Sequence, residues 1–382
     1  MLSYFIVFLI SCLCCRAGEY LMDKKKRNIS FICFIIAVAI VSIMAGVRDY
    51  TIGTDISTYG HWLFLEARKK LGLYNFILHH REIDILYSCF VYIVAQFFKS
   101  EHWLYFYTGV WIYGFALAGI MQYKRYASVS WIWVCYLLLL YGDTLNAMRQ
   151  CMAMSLGIWA FHFAIEKKYV KYVFAVVISC LFHITAVVFF GIWLIYEIIK
   201  QRNDFIVKSG IFIGLTFALL IYNKILVILI KWGLFNEKFE RYLTTDISLT
   251  SINPILIRIP FLIIILMFYH FFLLGRKNIK EHEKNNIKLE RIIGSFIILM
   301  IFFEIIIAEM RSVNVTLYRI SLYFCIFRCI AMGRVVKVIS NNNRLIVKTT
   351  ILLLLGIIWV YQNVYQGNND IYPFTSQILG IY

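Results

Sequence analysis

The run ISFICFIIAVAIVSIMAGV at residues 29–47 is long and apolar enough to cross a membrane as a helix. Comparable apolar runs recur along the 382 residues, and 62% of the chain is hydrophobic. Charged residues make up 15% of the sequence, whereas soluble domains carry about 25%. We therefore predict an all-α fold, a polytopic bundle of roughly 11–13 transmembrane helices with re-entrant or discontinuous segments.

Charged residues follow this first run without a spacer, in the sequence RDYTIGTD at 48–55. They include Arg48 and Asp55, which would lie where the chain leaves the membrane. The guanidinium of Arg48 is permanently charged and can hold phosphate oxygens through two N–H donors, so it suits an anionic, lipid-linked substrate. Asp55 either accepts a proton from a sugar hydroxyl or forms an ion pair with Arg48 at the end of the helix.

The apolar runs predict a single integral membrane domain over residues 1–382, with longer external loops at about 48–82 and 231–253. Aromatic and charged residues at rough helical spacing in both loops predict amphipathic helices at the membrane interface. The predicted spans are residues 2–21, 29–47, 83–98, 103–121, 127–142, 150–166, 171–199, 207–230, 254–275, 291–310, 316–333 and 345–362.

The net charge of +17 comes from basic residues in short loops between apolar runs, as at 24–27 and 276–291. This distribution is typical of cytoplasmic loops and argues against nucleic-acid binding. Since residues 24–27 belong in the cytoplasm, the loop that begins at Arg48 is predicted to face outside. The ten cysteines lie mostly inside apolar runs, where they act as small hydrophobic residues, and we predict no metal site.

The positive-inside rule gives a contradiction in the middle of the chain. If every apolar run crosses once, Lys124 and Lys167 fall outside, against the rule. The run at 83–98 is short for a hydrocarbon core of about 30 Å, and the run at 171–199 is long and broken in character at His183. We therefore favour re-entrant or discontinuous segments here, and the alternative is a single violation of the rule.

Four further side chains that can carry charge lie at predicted membrane boundaries or inside an apolar run. Glu82, two residues before Asp84, is either a functional carboxylate or a solvated helix start. Arg149 opens a span, where a cation opposes the helix dipole, so it either binds phosphate or extends to lipid headgroups. His183, in an apolar run, indicates function or a bond to a neighbouring helix. Arg319 either binds substrate or forms an intramembrane ion pair.

Taken in order, these fragments resemble the EpsG family of bacterial exopolysaccharide proteins, which belong with the Wzy-like polymerases. The resemblance covers most of the chain, and its most specific part is the Arg-Gln span followed by the Phe-His motif. The matching pieces are GVR at 46–48, GTD at 53–55 with Tyr59, Glu82 before a span, MRQ at 148–150, FHITA at 182–186, YRI at 318–320 and IYPF at 371–374.

The resemblance implies a membrane glycosyltransferase that polymerises undecaprenyl-diphosphate-linked oligosaccharide repeat units into a surface polysaccharide or exopolysaccharide, such as capsule or O-antigen. It implies a reaction on the outer face of the bacterial cytoplasmic (inner) membrane, with no metal and no other cofactor. Preorganised arginines would stabilise the departing diphosphate, and the candidates are Arg48, Arg149 and Arg319. The candidates that accept the proton of the attacking hydroxyl are Asp55, His183 and Glu82.

The expected partners are lipid-linked oligosaccharides, membrane lipids, a chain-length regulator and a flippase, with no nucleic acid. Two other functions fit the same sequence. A transporter or flippase for lipid-linked oligosaccharides suits about twelve spans with interior charges, and predicts symmetry between two halves. Another polyprenyl-donor glycosyltransferase or ligase suits the two aspartates, Asp49 and Asp55, in the first external loop.

Overall fold

The computed structural model describes residues 1–69, 72–220, 224, 227–228, 232, 254–274, 284–309, 315–339 and 341–381. Across these residues the chain is almost entirely helical and contains no β-strand, which confirms the all-α prediction. The predicted external loop at 231–253 lies outside the described residues, apart from Trp232. Part of the basic segment, residues 276–283, lies outside them as well.

Sixteen α-helices are present in the described residues, numbered here in chain order. They are α1 Leu2–Asp23, α2 Arg27–Gly46, α3 His61–Ala67, α4 Leu73–His79, α5 Ile85–Phe97, α6 His102–Met121, α7 Val129–Asn146, α8 Met148–Ile165, α9 Tyr169–Phe182, α10 Val188–Gln201, α11 Phe205–Leu220, α12 Pro254–Met267, α13 Tyr269–Leu274, α14 Lys284–Glu309, α15 Val315–Val338 and α16 Asn341–Val360.

Six helical segments in the described residues are long and apolar enough to cross a membrane, judged by length and composition. They are Leu2–Asp23, Arg27–Gly46, His102–Met121, Ile184–Gln201, Lys288–Glu309 and Asn343–Tyr365. The chain is therefore a multi-pass membrane protein. Shorter apolar helices add to these at Ile85–Phe97, Tyr169–Phe182, Phe205–Ala218 and Pro254–Met267.

The chain divides into two compact units. The first contains residues 1–190 and 349–382, and the second contains residues 191–348. In the first unit, small residues allow helices to approach closely, as is common in membrane bundles. A Cβ added to Gly109 on α6 would lie 3.1 Å from the Cα of Ser42 on α2. A Cβ on Gly119, near the other end of α6, would lie 2.9 Å from the backbone N of Trp159 on α8.

The first unit has a basic end and an opposite end. At the basic end, Lys124 Nζ lies 2.9 Å from Asp23 Oδ1, beside the turn that joins α1 to α2. At the opposite end, His102 Nδ1 lies 2.8 Å from the carbonyl oxygen of Gly46, so α6 begins where α2 ends. We call this opposite end the loop end. It contains residues 47–60, 79–84, 142–149 and 366–381.

Helix α5 begins and ends at the loop end. Asp84, directly before α5, contacts Arg149 in the first turn of α8 at 2.8 Å. The other end of α5, Phe97, lies five residues before His102, which contacts Gly46 at the loop end. At about 1.5 Å per residue, the 13 residues of α5 extend roughly 20 Å, which is short of a hydrocarbon core of about 30 Å. Helix α5 is thus a non-crossing segment.

This arrangement removes the conflict in the charge pattern. With α5 at the loop end, α6 runs from the loop end to the basic end and brings Lys124 there. Helix α7 returns to the loop end, and α8 runs back and brings Lys167 to the basic end. The structure therefore agrees with the hypothesis of a non-crossing segment, and the positive-inside rule is not violated at these two lysines.

The long apolar run at 171–199 is broken at His183, as its length predicted. Helix α9 ends at Phe182, His183 is extended with φ −163° and ψ 121°, and a short 3₁₀ helix follows at Ile184–Val187. The hydroxyl of Tyr172, in the first turn of α9, donates a hydrogen bond of 2.6 Å to the carbonyl of Phe189. The chain therefore turns back after His183, and His183 lies at the loop end, where α9 stops.

The second unit buries several charges among α12, α14 and α15. Glu304 Oε1 accepts a hydrogen bond of 2.8 Å from Arg258 Nε and lies 3.0 Å from Arg328 Nη2. Arg334 Nη1 lies 2.7 Å from Glu290 Oε2. All five side chains are buried. Pairing offsets much of the free-energy cost of holding such charges at membrane depth.

Candidate functional site

The loop end of the first unit is tied together by the C-terminal segment, residues 366–381. The N–H of Asp49 donates to the carbonyl of Thr375 at 3.1 Å, and the N–H of Gln377 donates to Asp49 Oδ1 at 2.7 Å. The N–H of Gly53 donates to the carbonyl of Asp370 at 3.2 Å. These bonds give the loop that follows α2 a fixed path, although it has little regular structure of its own.

Asn146 joins this loop to the end of α7. Its Oδ1 accepts a hydrogen bond of 3.1 Å from the N–H of Thr54 and also contacts the Thr54 hydroxyl. Its Nδ2 donates to Asn369 Oδ1 at 3.0 Å, and Asn369 Nδ2 donates to Asp143 Oδ1 at 3.3 Å. The chain between α7 and α8 is therefore held from two sides, and the start of α8 has a defined position.

Asp55 caps α8. Its Oδ2 accepts a hydrogen bond of 2.9 Å from the N–H of Met148, the first residue of the helix. The first N–H groups of a helix have no partner within the helix and carry partial positive charge. A carboxylate at this position therefore stabilises the helix start, and it also offsets the unfavourable placement of Arg149 in the first turn.

Arg149, Asp84 and His183 form a cluster at the start of α8, which we call the Arg149 cluster. Arg149 Nη1 donates to Asp84 Oδ2 at 2.8 Å, and His183 Nδ1 lies 3.3 Å from the same oxygen. The Arg149 guanidinium carbon lies 3.8 Å from the centre of the Tyr59 ring. The three charged or ionisable side chains are 14–19% exposed, so the cluster is largely shielded from solvent but can be reached from outside the protein.

The carboxylate of the cluster is Asp84, and not Glu82, which is the candidate that the sequence predicts. The Glu82 side chain is 47% exposed, and its Oε1 lies 3.8 Å from His80 Nδ1. Asp84 occupies the residue before α5, where an aspartate usually bonds the first N–H groups of its own helix, yet it makes no such bond. Its carboxylate is turned to Arg149 instead. The sequence signal that could have identified Asp84 is its position directly before the apolar residues that begin at Ile85.

Arg48 lies in the interior beside the same helix start. Arg48 is 1% exposed. Its Nη2 lies 3.3 Å from Met148 Sδ, and its guanidinium carbon lies 5.2 Å from the centre of the Tyr105 ring. Within the described part of the chain, its Nε has no hydrogen-bond partner. Burial lowers the pKa of Arg48 from its ordinary value, although arginine keeps its proton in proteins. Arg48 thus supports the start of α8 from the interior.

The structure brings four of the six predicted residues to the start of α8. Arg149 and His183 share the Asp84 carboxylate, Asp55 caps the helix, and Arg48 contacts its first side chain. Glu82 lies on an exposed turn nearby in sequence. Arg319 lies near the beginning of α15, in the second unit, and is exposed.

The Arg149 cluster contains a permanent cation, a carboxylate and an imidazole. Asp84 is hydrogen-bonded to the permanent cation of Arg149. A carboxylate at His183 Nδ1 favours the tautomer whose proton is on Nδ1, and that tautomer leaves Nε2 free to accept a proton. Among the described residues, no group of three or more His, Cys, Asp or Glu side chains is arranged to hold a metal ion.

The sequence model of the EpsG family matches residues 31–376 of the chain. The match contains Asp84 and all six site residues predicted from the sequence. No curated protein and no solved structure matches the chain.

Proposed function

Because the chain belongs to the EpsG family, we propose that it polymerises undecaprenyl-diphosphate-linked oligosaccharide repeat units on the outer face of the bacterial cytoplasmic membrane. Family membership makes it a polysaccharide polymerase-like membrane protein. The observation that supports the finer proposal is the Arg149 cluster, which joins a cation and a histidine through one carboxylate. These groups suit the two needs of the reaction, a diphosphate that leaves and a hydroxyl that loses its proton.

The charge distribution supports an outward-facing reaction. Lys124 and Lys167 lie at the basic end of the first unit, and the turn that joins α1 to α2 is basic as well. Such turns belong in the cytoplasm, so the loop end and its Arg149 cluster would face outside. A substrate whose lipid stays in the outer leaflet would present its diphosphate at this level.

Arg149 is the side chain best suited to bind the diphosphate. It lies in the first turn of α8, is partly accessible, and is oriented by Asp84 and the Tyr59 ring. The leaving diphosphate gains negative charge in the transition state, and a preorganised guanidinium lowers the free energy of that state. Arg48 would act mainly by positioning α8, because its guanidinium is buried beneath Met148. Arg319 stays a prediction for a further diphosphate contact.

His183 is the proposed general base. A terminal hydroxyl of one lipid-linked saccharide attacks the anomeric carbon of the other, and its proton passes to His183 Nε2. The new glycosidic C–O bond forms as the bond between the anomeric carbon and the diphosphate oxygen breaks, and the lipid diphosphate departs with that electron pair. Asp84 stabilises the imidazolium that results. Asp55 is less suited to the role, since its Oδ2 is engaged in capping α8.

Substitutions in the Arg149 cluster test the proposal. Arg149→Ala and His183→Gln should leave the protein in the membrane but abolish long polymer, with single repeat units accumulating on the lipid. Loss of a general base typically lowers the rate by about 10²–10⁴-fold, and loss of a charge-stabilising donor lowers it by about 10²–10³-fold. The measurement is the polymer ladder and the lipid-linked saccharide profile of cells that carry each variant as the sole copy.

Two control pairs sharpen this test. Arg16→Ala removes an arginine that pairs with Glu19 and is 60% exposed, and it should leave the ladder unchanged. Asp84→Asn should shorten the polymer whereas Glu82→Gln should not, and the opposite result would assign the carboxylate role to Glu82.

Wild-type polymer length in both the Arg149→Ala and the His183→Gln variant would exclude Arg149 and His183 from the mechanism. Substrate held on the inner leaflet would indicate a flippase, and addition of one unit only would indicate a ligase.

A further inference from the structure

An apolar groove of about 600 Å³ lies on the first unit, lined by α5, α6 and one residue of α8. Its volume is within the range of roughly 300–1,000 Å³ that is usual for ligand sites. Most of its lining side chains are aromatic, among them Phe90 and Phe97 on α5, Trp111 and Phe115 on α6, and Trp159 on α8. Helix α5 has 13 residues and α6 has 20, so α5 covers α6 only in part.

The floor of the groove is one stripe of α6. Tyr107, Trp111, Gly114, Phe115 and Ala118 recur at helical spacing, and at about 1.5 Å per residue they extend roughly 16 Å along the helix. The stripe starts near the loop end, where α6 begins, and runs toward the basic end. A Cβ placed on Gly114 would meet no atom within 4 Å. The small residues Gly114 and Ala118 therefore leave open space where large side chains would close it.

Two elements bring the groove close to the Arg149 cluster. Helix α5 carries Asp84 directly before its first residue and lines the groove with Phe90, less than two turns further on. The Trp111 ring lies 4.9 Å from the ring of Phe182, the residue before His183, and 6.4 Å from the ring of Phe90. A molecule with a charged head at Arg149 and an apolar tail could place both ends on the protein.

We propose that this groove binds the polyisoprenoid chain of the lipid diphosphate, next to the diphosphate itself. The inference rests on the proposed function, and it extends that function by assigning a site for the lipid. The protein and this lipid are complementary in charge and polarity. The cation of Arg149 matches the diphosphate, and the aromatic rings of the groove match the apolar isoprenoid chain. Only part of a long isoprenoid would fit, so the remainder extends into the bilayer.

The lining favours an isoprenoid over a straight acyl chain. Isoprenoids carry a methyl branch and a double bond in every unit, so they have bulges that fill the spaces between rings. Flat aromatic faces make good contact with such groups. The open space at Gly114, in the stripe that also carries the Trp111 and Phe115 rings, provides room for a branch. A straight saturated chain gains less from this shape, because it packs equally well against bulk lipid.

Photo-crosslinking tests the site directly. The probe is undecaprenyl diphosphate with a diazirine in its first isoprene units, added to the full chain in phospholipid vesicles. Crosslinks should map to the α6 stripe between Tyr107 and Ala118, and unlabelled undecaprenyl diphosphate should compete. Phosphatidylglycerol in equal excess should not compete, and neither should inorganic pyrophosphate. Competition by phosphatidylglycerol, or crosslinks spread over all lipid-facing helices, would show ordinary lipid contact and overturn the proposal.

Filling the groove gives a second test. Gly114→Leu adds a side chain where the protein leaves space, so it should fold normally yet lower probe crosslinking about tenfold, the effect of losing burial of two methylene groups. Gly356→Leu is the matched control, because Gly356 lies in α16 and a Cβ there also meets no atom within 4 Å. Ala118→Leu repeats the test if the first variant is poorly produced. Unchanged crosslinking in a folded groove variant would overturn the inference.

The outcomes separate this inference from the proposed function. If Arg149→Ala abolishes polymer while Gly114→Leu keeps wild-type crosslinking and polymer length, the lipid site is wrong and the polymerase proposal stands. If the probe crosslinks to the α6 stripe and Gly114→Leu prevents it, but substitutions in the Arg149 cluster leave the polymer unchanged, the lipid site stands and the polymerase assignment fails.

Discussion

At the scale of single residues, Gly53 determines whether two loops can meet at the site. Its φ is +86°, a region that residues with a Cβ rarely adopt. A Cβ at this position would lie 2.5 Å from the carbonyl oxygen of Leu145, directly before the residue that bonds Thr54. The backbone of Gly53 thus lies against the end of α7, and this close approach allows Asp55 to reach the start of α8.

We expect Gly53→Ala to destabilise the protein and to weaken its activity together. The left-handed conformation costs a residue with a Cβ about 1–2 kcal/mol, and the clash with a backbone oxygen adds to this cost. The thermal midpoint in detergent should fall and the polymer should shorten. Gly72→Ala is the control, since its φ is −60° and a Cβ there would meet nothing within 4 Å. A wild-type midpoint for Gly53→Ala would contradict this account of the loop.

Single residues were predictable from the sequence when their position relative to the membrane was unusual. Arg149 and His183 were selected because charge at a helix start or in an apolar run needs an explanation. Their common partner, Asp84, could not be predicted in the same way. Asp84 and Arg149 are 65 positions apart, and residues 82–84 contain two carboxylates between which the sequence does not distinguish. The structure distinguishes them by direction, since only Asp84 turns from its own helix to the cluster.

At the scale of helices, α7 depends on a cap supplied by another helix. Glu19 of α1 is 6% exposed and accepts hydrogen bonds from the N–H groups of Val129 at 2.8 Å and Ser130 at 3.3 Å. The hydroxyls of Ser128 and Ser130 bond to the same carboxylate. The start of α7, at the basic end, is therefore fixed to α1, and no local sequence signal for the cap exists because the groups are 110 positions apart.

We expect Glu19→Ala to lower stability without direct damage to the Arg149 cluster. It would leave buried N–H groups unpaired at a cost of about 1–3 kcal/mol each, and it would remove the cap of α7. The measurement is the thermal midpoint of the purified protein. Glu66→Ala serves as the control, because Glu66 is 31% exposed and pairs with Lys69, and such pairs contribute about 0–1 kcal/mol. Equal midpoints for the two variants would contradict the capping role.

At the scale of the whole molecule, the charge pattern was more informative than the list of apolar runs. Run lengths alone treated 83–98 as one more span, which placed Lys124 and Lys167 on the wrong side. The conflict predicted that some segment does not cross, but it did not identify which one. The structure identifies α5, through contacts between distant segments such as His102 with Gly46. Pairings of this kind leave no periodic signal in a single sequence.

The resulting topology can be tested with single cysteines on both sides of α6. Lys99→Cys should react with a membrane-impermeant maleimide in intact cells, because the carbonyl of Lys99 accepts a hydrogen bond from Arg68 at the loop end. Lys124→Cys and Lys167→Cys should react only after permeabilisation, since both positions follow helices that run to the basic end. The unsubstituted chain, with its ten cysteines, sets the background. Labelling of Lys124→Cys in intact cells would contradict this topology, because it would place the Arg149 cluster, at the opposite end of the first unit, on the cytoplasmic side, where an outer-leaflet lipid diphosphate cannot reach it.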